Sequence, residues 1–233
     1  MAVNEQIRNR ASVTLTATLV VAAVAVGAAS VHREFLRPAP RNPAAAADNR
    51  VTYDEGWYGY LRHGVVIGDS SAPIKVIEFL DFECPFCRQL HGRLSVLRTR
   101  FRDTVAVVLV HFPLRQHRFA LPAAHAAECA AEQNRFAGFA DVLFTKQDSL
   151  GLKSWGEYAV EARLPDVARF ERCNRAPTSS PRIDSGLAAG SRAGVRGTPT
   201  VLVNGWRLPG TPDSATLNNA VVSVLAGRAP LGR

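Results

Sequence analysis

Lysine is scarce in this chain: of 28 basic residues only Lys75, Lys146 and Lys153 are lysines, and the rest are arginines. That bias is what a GC-rich coding sequence produces, so the net charge of +8 reads as scattered, solvated guanidinium groups. No basic stripe interleaved with aromatics is present, which argues against nucleic acid as a partner. Cysteine is equally sparse, at four in 233 residues, and only Cys84 and Cys87 are spaced Cys-x-x-Cys. None of His91, His111, His117 and His125 recurs in a finger-like or ribbon-like pair, so a zinc site would lack its second half; neither a metal nor an organic cofactor is expected. No additional dimerisation module is visible, and a monomer is expected. With 47% hydrophobic and 21% charged residues, composition fits one globular domain carrying an insertion, or two small ones.

What is there begins with Cys84-Pro85-Phe86-Cys87. The motif follows the apolar run Ile74 to Leu80 and opens a helix-like stretch, Arg88 to Phe101. A strand feeding a helix puts Cys84 at the helix N-terminus, where unpaired N–H groups and the positive end of the dipole stabilise a thiolate. Both sulfurs share the first turn, so the pair can close a small ring that opens readily in exchange. Pro85 suits the first helical position, because the N–H it lacks had no partner there. Redox chemistry is therefore the first reading; a metal-binding use or an inert disulfide are the alternatives.

Arg8 and Arg10 precede an uncharged stretch from Ala11 to Val31, and charge returns at His32, Arg33 and Glu34. The stretch is long enough to span a bilayer, although Gly27-Ala28-Ala29-Ser30 also suits a signal-peptidase site. The expectation is a cytoplasmic N-terminus over 1–10 and a transmembrane signal-anchor over 11–31, with the remainder on the far side of the cell membrane, or secreted if the segment is cleaved. Pro38, Pro40, Pro43 and Ala44 to Ala47 read as a tether. Linker and an aromatic N-terminal arm, with Tyr53, Trp57, Tyr58 and Tyr60, fill 32–59.

The strand at Ile74–Leu80, the Cys-x-x-Cys helix and a second strand at Val105–Val110 make a βαβ unit. From His117 to about Ala193 only Ala-rich and amphipathic stretches follow. A strand then resumes at Thr200–Val203, Asn204-Gly205 supplies a hairpin turn, Trp206–Leu208 is its partner, and Asp213 to Leu225 closes with a helix capped by Asp213 or Thr211.

Asp81-Phe82-Glu83-Cys84-Pro85-Phe86-Cys87, followed after a helical insert by Gly197-Thr198-Pro199-Thr200-Val201, resembles the DsbA-like thioredoxin-fold disulfide oxidoreductases, and in particular their membrane-anchored four-cysteine members. The resemblance covers roughly 60 to 228. It implies an α/β thioredoxin fold split by an inserted helical domain: an N-terminal thioredoxin segment over 60–115, the helical insertion over 116–193, and a C-terminal thioredoxin segment over 194–230. It further implies that Cys84 is the exposed nucleophile and Cys87 the buried resolving thiol. Pro199 becomes a cis-proline facing them, Thr198 offers its backbone to an extended substrate, Pro85 and Phe86 lie in the contact surface, and Glu78 is the buried acid that relays the Cys87 proton. Two departures stand out. Phe86 occupies the position where strong oxidants carry histidine, and the strand at Val105–Val110 lacks the lysine that often accompanies the acid. Arg88 and Glu83 are expected to be solvated.

Cys129 and Cys173 complete an even count, and in an oxidising compartment they are expected to form a structural disulfide, closing a loop of about 45 residues worth at most about 4 kcal/mol. Two separate buried thiols or a second redox relay are the alternatives, and neither cysteine has the strand-to-helix setting of Cys84. The expected activity is donation of the Cys84–Cys87 disulfide to reduced exported proteins, with reoxidation by a membrane quinone-linked thiol oxidase of the DsbB or vitamin K epoxide reductase type. A reductase or isomerase using the same cysteines, or a membrane-tethered Cu/Zn-binding protein, are the competing functions.

Overall fold

The computed structural model describes residues 50–176 and 180–230. The expected anchor over 11–31 and most of the tether lie outside them. Among the described residues no helix is long and apolar enough to cross a membrane. In chain order the elements are β1 (Thr52–Tyr53), a 3-10 helix (Trp57–His63), β2 (Val65–Ile67), β3 (Ile74–Leu80), α1 (Pro85–Arg100), β4 (Val105–His111), α2 (Ala120–Ala131), α3 (Phe136–Thr145), a short 3-10 turn (Gln147–Ser149), α4 (Trp155–Glu161), α5 (Val167–Asn174), α6 (Pro181–Arg192), β5 (Thr200–Val203), β6 (Trp206–Leu208) and α7 (Ser214–Leu225).

The sheet has the order β1-β6-β5-β3-β4-β2. β3 and β4 run parallel from Ile74 opposite Val105 to Leu80 opposite His111, and every other pairing is antiparallel. The two longest strands, β3 and β4, both lie inside the sheet because their residues are apolar on both faces, and nearly all of them are buried. Alternation along the strands then sorts the side chains. Val76, Leu80, Val107, Leu109, Val201 and Val203 face one core, shared with α1, α7 and the helical layer. Ile77, Phe79, Val108, Val110 and Leu202 face a second core with Tyr60 and Ala189. Glu78 shares the parity of Val76 and Leu80, so the strand period directs it to the α1 side.

Helices α2 to α5 pack on one another, and α3 also meets α1, which brings the helical layer to the Cys-x-x-Cys helix. Cys129 on α2 and Cys173 on α5 are joined by a disulfide, with Cα atoms 5.7 Å apart. The stretch Pro181–Ala193, read from its pattern as belonging to the insertion, forms α6 and lies on the opposite face of the sheet, against β4 and the first 3-10 helix. Amphipathic spacing identifies a helix but not the face it covers; here Gly186 and Gly190 decide it by letting the backbone settle onto His111 and Phe112.

The hairpin forms at Asn204-Gly205, both with positive φ (44° and 90°), the geometry of a type I′ turn. Asn204 also ties the turn to β3, accepting from Lys75 N (2.7 Å) and donating to the Pro73 carbonyl (2.9 Å). Asp213 caps α7 by accepting from Thr216 N (2.8 Å). The aromatic arm packs on the domain: Tyr53 against Trp206 and Tyr60 against Phe79, while Tyr58 is 72% exposed.

Gly186 supplies a test of the α6 placement. In an ordinary helix Gly→Ala stabilises by about 1 kcal/mol. Here the new Cβ would stand 2.6 Å from the His111 carbonyl oxygen, and overpacking of that kind costs about 1–3 kcal/mol. Gly186→Ala is expected to lower the urea midpoint; a raised midpoint would show that α6 does not rest on β4.

Candidate active site

Three segments converge at the C-terminal end of β3. Cys84 is the N-cap of α1 and Pro85 sits in its first turn. The Thr198–Pro199 peptide bond is cis, and the Cys84 thiol donates to the Thr198 carbonyl at 3.1 Å. Glu78, two residues from the end of β3, is fully buried, and neither carboxylate oxygen has a hydrogen-bond partner. The residues singled out in the sequence, Glu78, Cys84, Pro85, Phe86, Cys87, Thr198 and Pro199, are thus placed in one region. Cys84 and Cys87 are both free thiols.

One expectation is corrected. Cys84 is not the exposed member of the motif: it is 3% exposed and Cys87 is fully buried, whereas Phe86 is 53% exposed. The carbonyl of Thr198 covers the sulfur, and the Gln147 side-chain amide holds the backbone down by donating to the carbonyls of Phe82 (2.8 Å) and Cys84 (2.9 Å). Glu83 and Arg88 are not simply solvated either. Glu83 accepts from Phe119 N, and Arg88 pairs with both oxygens of Asp148 at 2.9 Å. That second pair is exposed on both sides, so it adds little stability.

Asp81 is the organising residue that motif reading passed over. Its buried carboxylate accepts from Glu83 N and Leu114 N, each at 2.8 Å, and lies 2.8 Å from His117 Nδ1. Its carbonyl accepts from Cys84 N (3.1 Å). An aspartate three residues ahead of a helix-capping cysteine was the available signal, but two of its partners, Leu114 and His117, lie over thirty residues away. Elsewhere on α1, Arg93 Nη1 donates to the Pro212 carbonyl (2.9 Å) and His91 pairs with Asp141 (2.7 Å), fixing the helix to its neighbours. Among the described residues no three His, Cys, Asp or Glu side chains are grouped to hold a metal ion.

The electrostatics separate the two thiols. Cys84 is drawn down to about 5, chiefly by the Cys87 thiol donating to it, with further donors in Thr198 and the backbone N–H groups of Phe86 and Cys87; burial works against the shift. The Thr198 hydroxyl is buried without another partner, so it is available to a thiolate. Cys87 is pushed well up by burial, by its hydrogen bond to Cys84 and by the charges of Glu78 and Cys84. Burial lifts Glu78 to about 8, the nearby Cys87 thiol offsets part of the rise, and the Cys84 charge adds to it. At neutral pH the site therefore holds one negative charge, on Cys84, above a protonated acid.

Residues 61–222 match the family profile described as Thioredoxin. A Na(+)/H(+) antiporter NhaA 1 of Mycolicibacterium gilvum (strain PYR-GCK) is 38% identical over 159 residues, which is 67% of this chain and 26% of the antiporter. The chain thus spans about a quarter of the length of the curated relatives it matches. Among solved structures, a thioredoxin-like oxidoreductase from Silicibacter pomeroyi DSS-3 superposes with TM-score 0.62 at 23% identity, covering 76% of this chain and 99% of that one. BdbD from Bacillus subtilis gives TM-score 0.65 at 20% identity, covering 72% and 95%. At these identities the likeness speaks for the fold.

Two measurements follow from the charge distribution. The thiolate absorbance of the reduced protein is expected to titrate near pH 5 and to vanish in Cys84→Ser; a midpoint near the ordinary thiol range would contradict the geometry. Glu78 has a folded pKa raised from 4.5 to about 8, so the fold binds its proton more tightly than the unfolded chain does. The Glu78 contribution to wild-type stability should therefore fall between pH 4.5 and 8, by at most about 1.4 kcal/mol per unit, against the opposite trend from Cys84, whose folded pKa is lowered from 9.0 to about 5. Glu78→Gln should remove that contribution, so its advantage over wild type widens through this window and is constant outside it. A difference independent of pH would mean that Glu78 is not the buried acid described.

Proposed function

Since the chain belongs to the thioredoxin family and is by its cysteine pair a protein thiol–disulfide oxidoreductase, we propose that it donates the Cys84–Cys87 disulfide to reduced proteins outside the cytoplasm. The observation that carries this direction is the acidity of Cys84. A thiolate held below the ambient pH stabilises the reduced form, and each such unit makes the couple about 30 mV more oxidising. Cys84 is held in that way by Cys87, Thr198 and the helix N-terminus.

In the forward reaction a substrate thiolate attacks Cys84 Sγ. The Cys84–Cys87 bond breaks, its electron pair goes to Cys87 Sγ, and that basic sulfur takes the proton of Glu78. A second substrate thiolate then attacks the substrate sulfur of the mixed disulfide and expels Cys84 as a stabilised thiolate. Pro85, Phe86 and the Thr198–Pro199 backbone provide the surface for an extended segment. The reduced enzyme requires an acceptor, and a membrane quinone-linked thiol oxidase of the DsbB or vitamin K epoxide reductase type fits that need. The stretch over 11–31 supports a single-pass anchor with the catalytic domain outside the cytoplasm. The Cys129–Cys173 disulfide supports an oxidising compartment.

The test is the glutathione redox equilibrium of the full chain, with Cys84 and Cys87 followed by alkylation and mass spectrometry. A potential above about −150 mV is expected; one near thioredoxin's roughly −270 mV would make the protein a reductase fed with electrons. Cys84→Ser should abolish exchange at the Cys84–Cys87 pair, while Cys87→Ser should accumulate mixed disulfides. Normal turnover by Cys87→Ser would overturn the assigned roles.

A further inference from the structure

The Cys129–Cys173 bond has an unused chemical setting of its own. Its two sulfurs are unequal: Cys129 on α2 is 1% exposed, whereas Cys173 on α5 is half-buried. Both line a surface groove of about 520 Å³ together with His125, Glu132, Arg169 and Arg172. His125 stands one turn before Cys129, the i, i+4 spacing that puts two side chains on one face of a helix. It is 6% exposed, and its Nε2 lies 3.9 Å from Cys129 Sγ and 3.3 Å from the Cys173 carbonyl oxygen. Its Nδ1 is buried with no partner. The neighbouring Glu128 is already engaged by His111 (2.9 Å) and Arg182 (2.8 Å). On the other sulfur, Glu132 Oε1 is 3.6 Å from Cys173 Sγ, and Arg169, 3.6 Å from the same carboxylate, offsets its charge.

We propose that Cys129–Cys173 is a second thiol-exchange site, opened at Cys173 by small carboxylate-bearing thiols, with Cys129 as the leaving sulfur and His125 as the hydrogen-bond donor that stabilises it. The incoming thiolate, attracted by Arg169 and Arg172, attacks the accessible Cys173 Sγ. A bond forms between the two, the Cys129–Cys173 bond breaks, and its electron pair goes to Cys129 Sγ, which accepts a hydrogen bond from His125 Nε2–H and takes its proton from solvent. The thiolate of a second small thiol then attacks the sulfur of the first, and the bond that breaks releases Cys173 Sγ, which takes a proton from solvent. Two thiols are oxidised to one disulfide, and Cys129 and Cys173 end as thiols. The asymmetry fixes the site of attack: Cys129 Sγ is blocked by burial, whereas Cys173 Sγ is reached from the groove.

The site is independent of Cys84, so the experiment uses the full chain carrying Cys84→Ser and Cys87→Ser. This protein is equilibrated with reduced and oxidised glutathione, quenched in acid, alkylated and mapped by mass spectrometry, while near-ultraviolet circular dichroism reports the fold. The expected result is reduction with the fold retained, a glutathione mixed disulfide on Cys173 in preference to Cys129, and faster opening by glutathione than by 2-mercaptoethanol at equal thiolate concentration. Adding His125→Ala should slow opening by about tenfold or more, as loss of a hydrogen bond to a charged group does. A bond that opens only when the chain unfolds, glutathione found mainly on Cys129, or no preference for glutathione would overturn the proposal. The first two readouts need no His125 variant.

Discussion

The arrangement around Cys84 depends on one buried carboxylate. Asp81 follows β3 and ties its end to two segments: the turn into α1 through Glu83 N, and the loop after β4 through Leu114 N and His117. A buried carboxylate must be satisfied on every side or it becomes costly. Any conformation that lets the Cys84 turn drift from the β4 loop leaves some of that charge unpaired. The N-terminus of α1 is thereby fixed in direction as well as in place, and Gln147 completes the clamp from the helical layer by holding the carbonyls of Phe82 and Cys84. The helix can act as an electrostatic device only because its first turn is immobilised against these groups.

With that turn fixed, charge is divided by burial and by the supply of donors. Glu78, Cys84 and Cys87 crowd a region with little water, where two negative charges cannot be accommodated together. Cys84 has donors on several sides, from Cys87, Thr198 and the backbone N–H groups of the first turn. Cys87 and Glu78 lie deeper and stay protonated at neutral pH. The basic thiol and the raised acid are therefore complementary, since a sulfur released by exchange needs a proton close by and Glu78 keeps one at the pH where exchange occurs.

Local chemistry made much of this legible in the sequence. A strand followed by Cys-Pro-Phe-Cys states its own geometry, because Pro85 marks the first turn and Cys84 must then cap it. Asn204-Gly205 states a type I′ hairpin for a similar reason, since both residues accept positive φ. The thioredoxin profile over residues 61–222 agrees with the pattern formed by Cys84, Cys87 and Thr198-Pro199. What escaped was set by contacts between distant residues. Nothing near Cys84 says that Gln147 and the Thr198 carbonyl will cover it, and nothing in Pro181–Ala193 says which side of the sheet that helix takes. Glu83 looked solvated because its partner, Phe119 N, lies beyond β4.

The same limitation explains why Cys129 and Cys173 looked inert. A search for acidified thiols favours the strand-to-helix setting, and neither cysteine has one. A helix N-terminus is only one way to stabilise a leaving sulfur, however. An imidazole one turn away on the same helix supplies a hydrogen bond in place of a field, and the His125 to Cys129 spacing is visible in the sequence once that second route is considered. The two routes differ in their demands: the field at Cys84 requires an immobilised helix end, whereas His125 requires only α2 and a sulfur within reach. The Cys84 site is consequently built from segments scattered over the whole fold, while the disulfide site needs two helices and the bond between them.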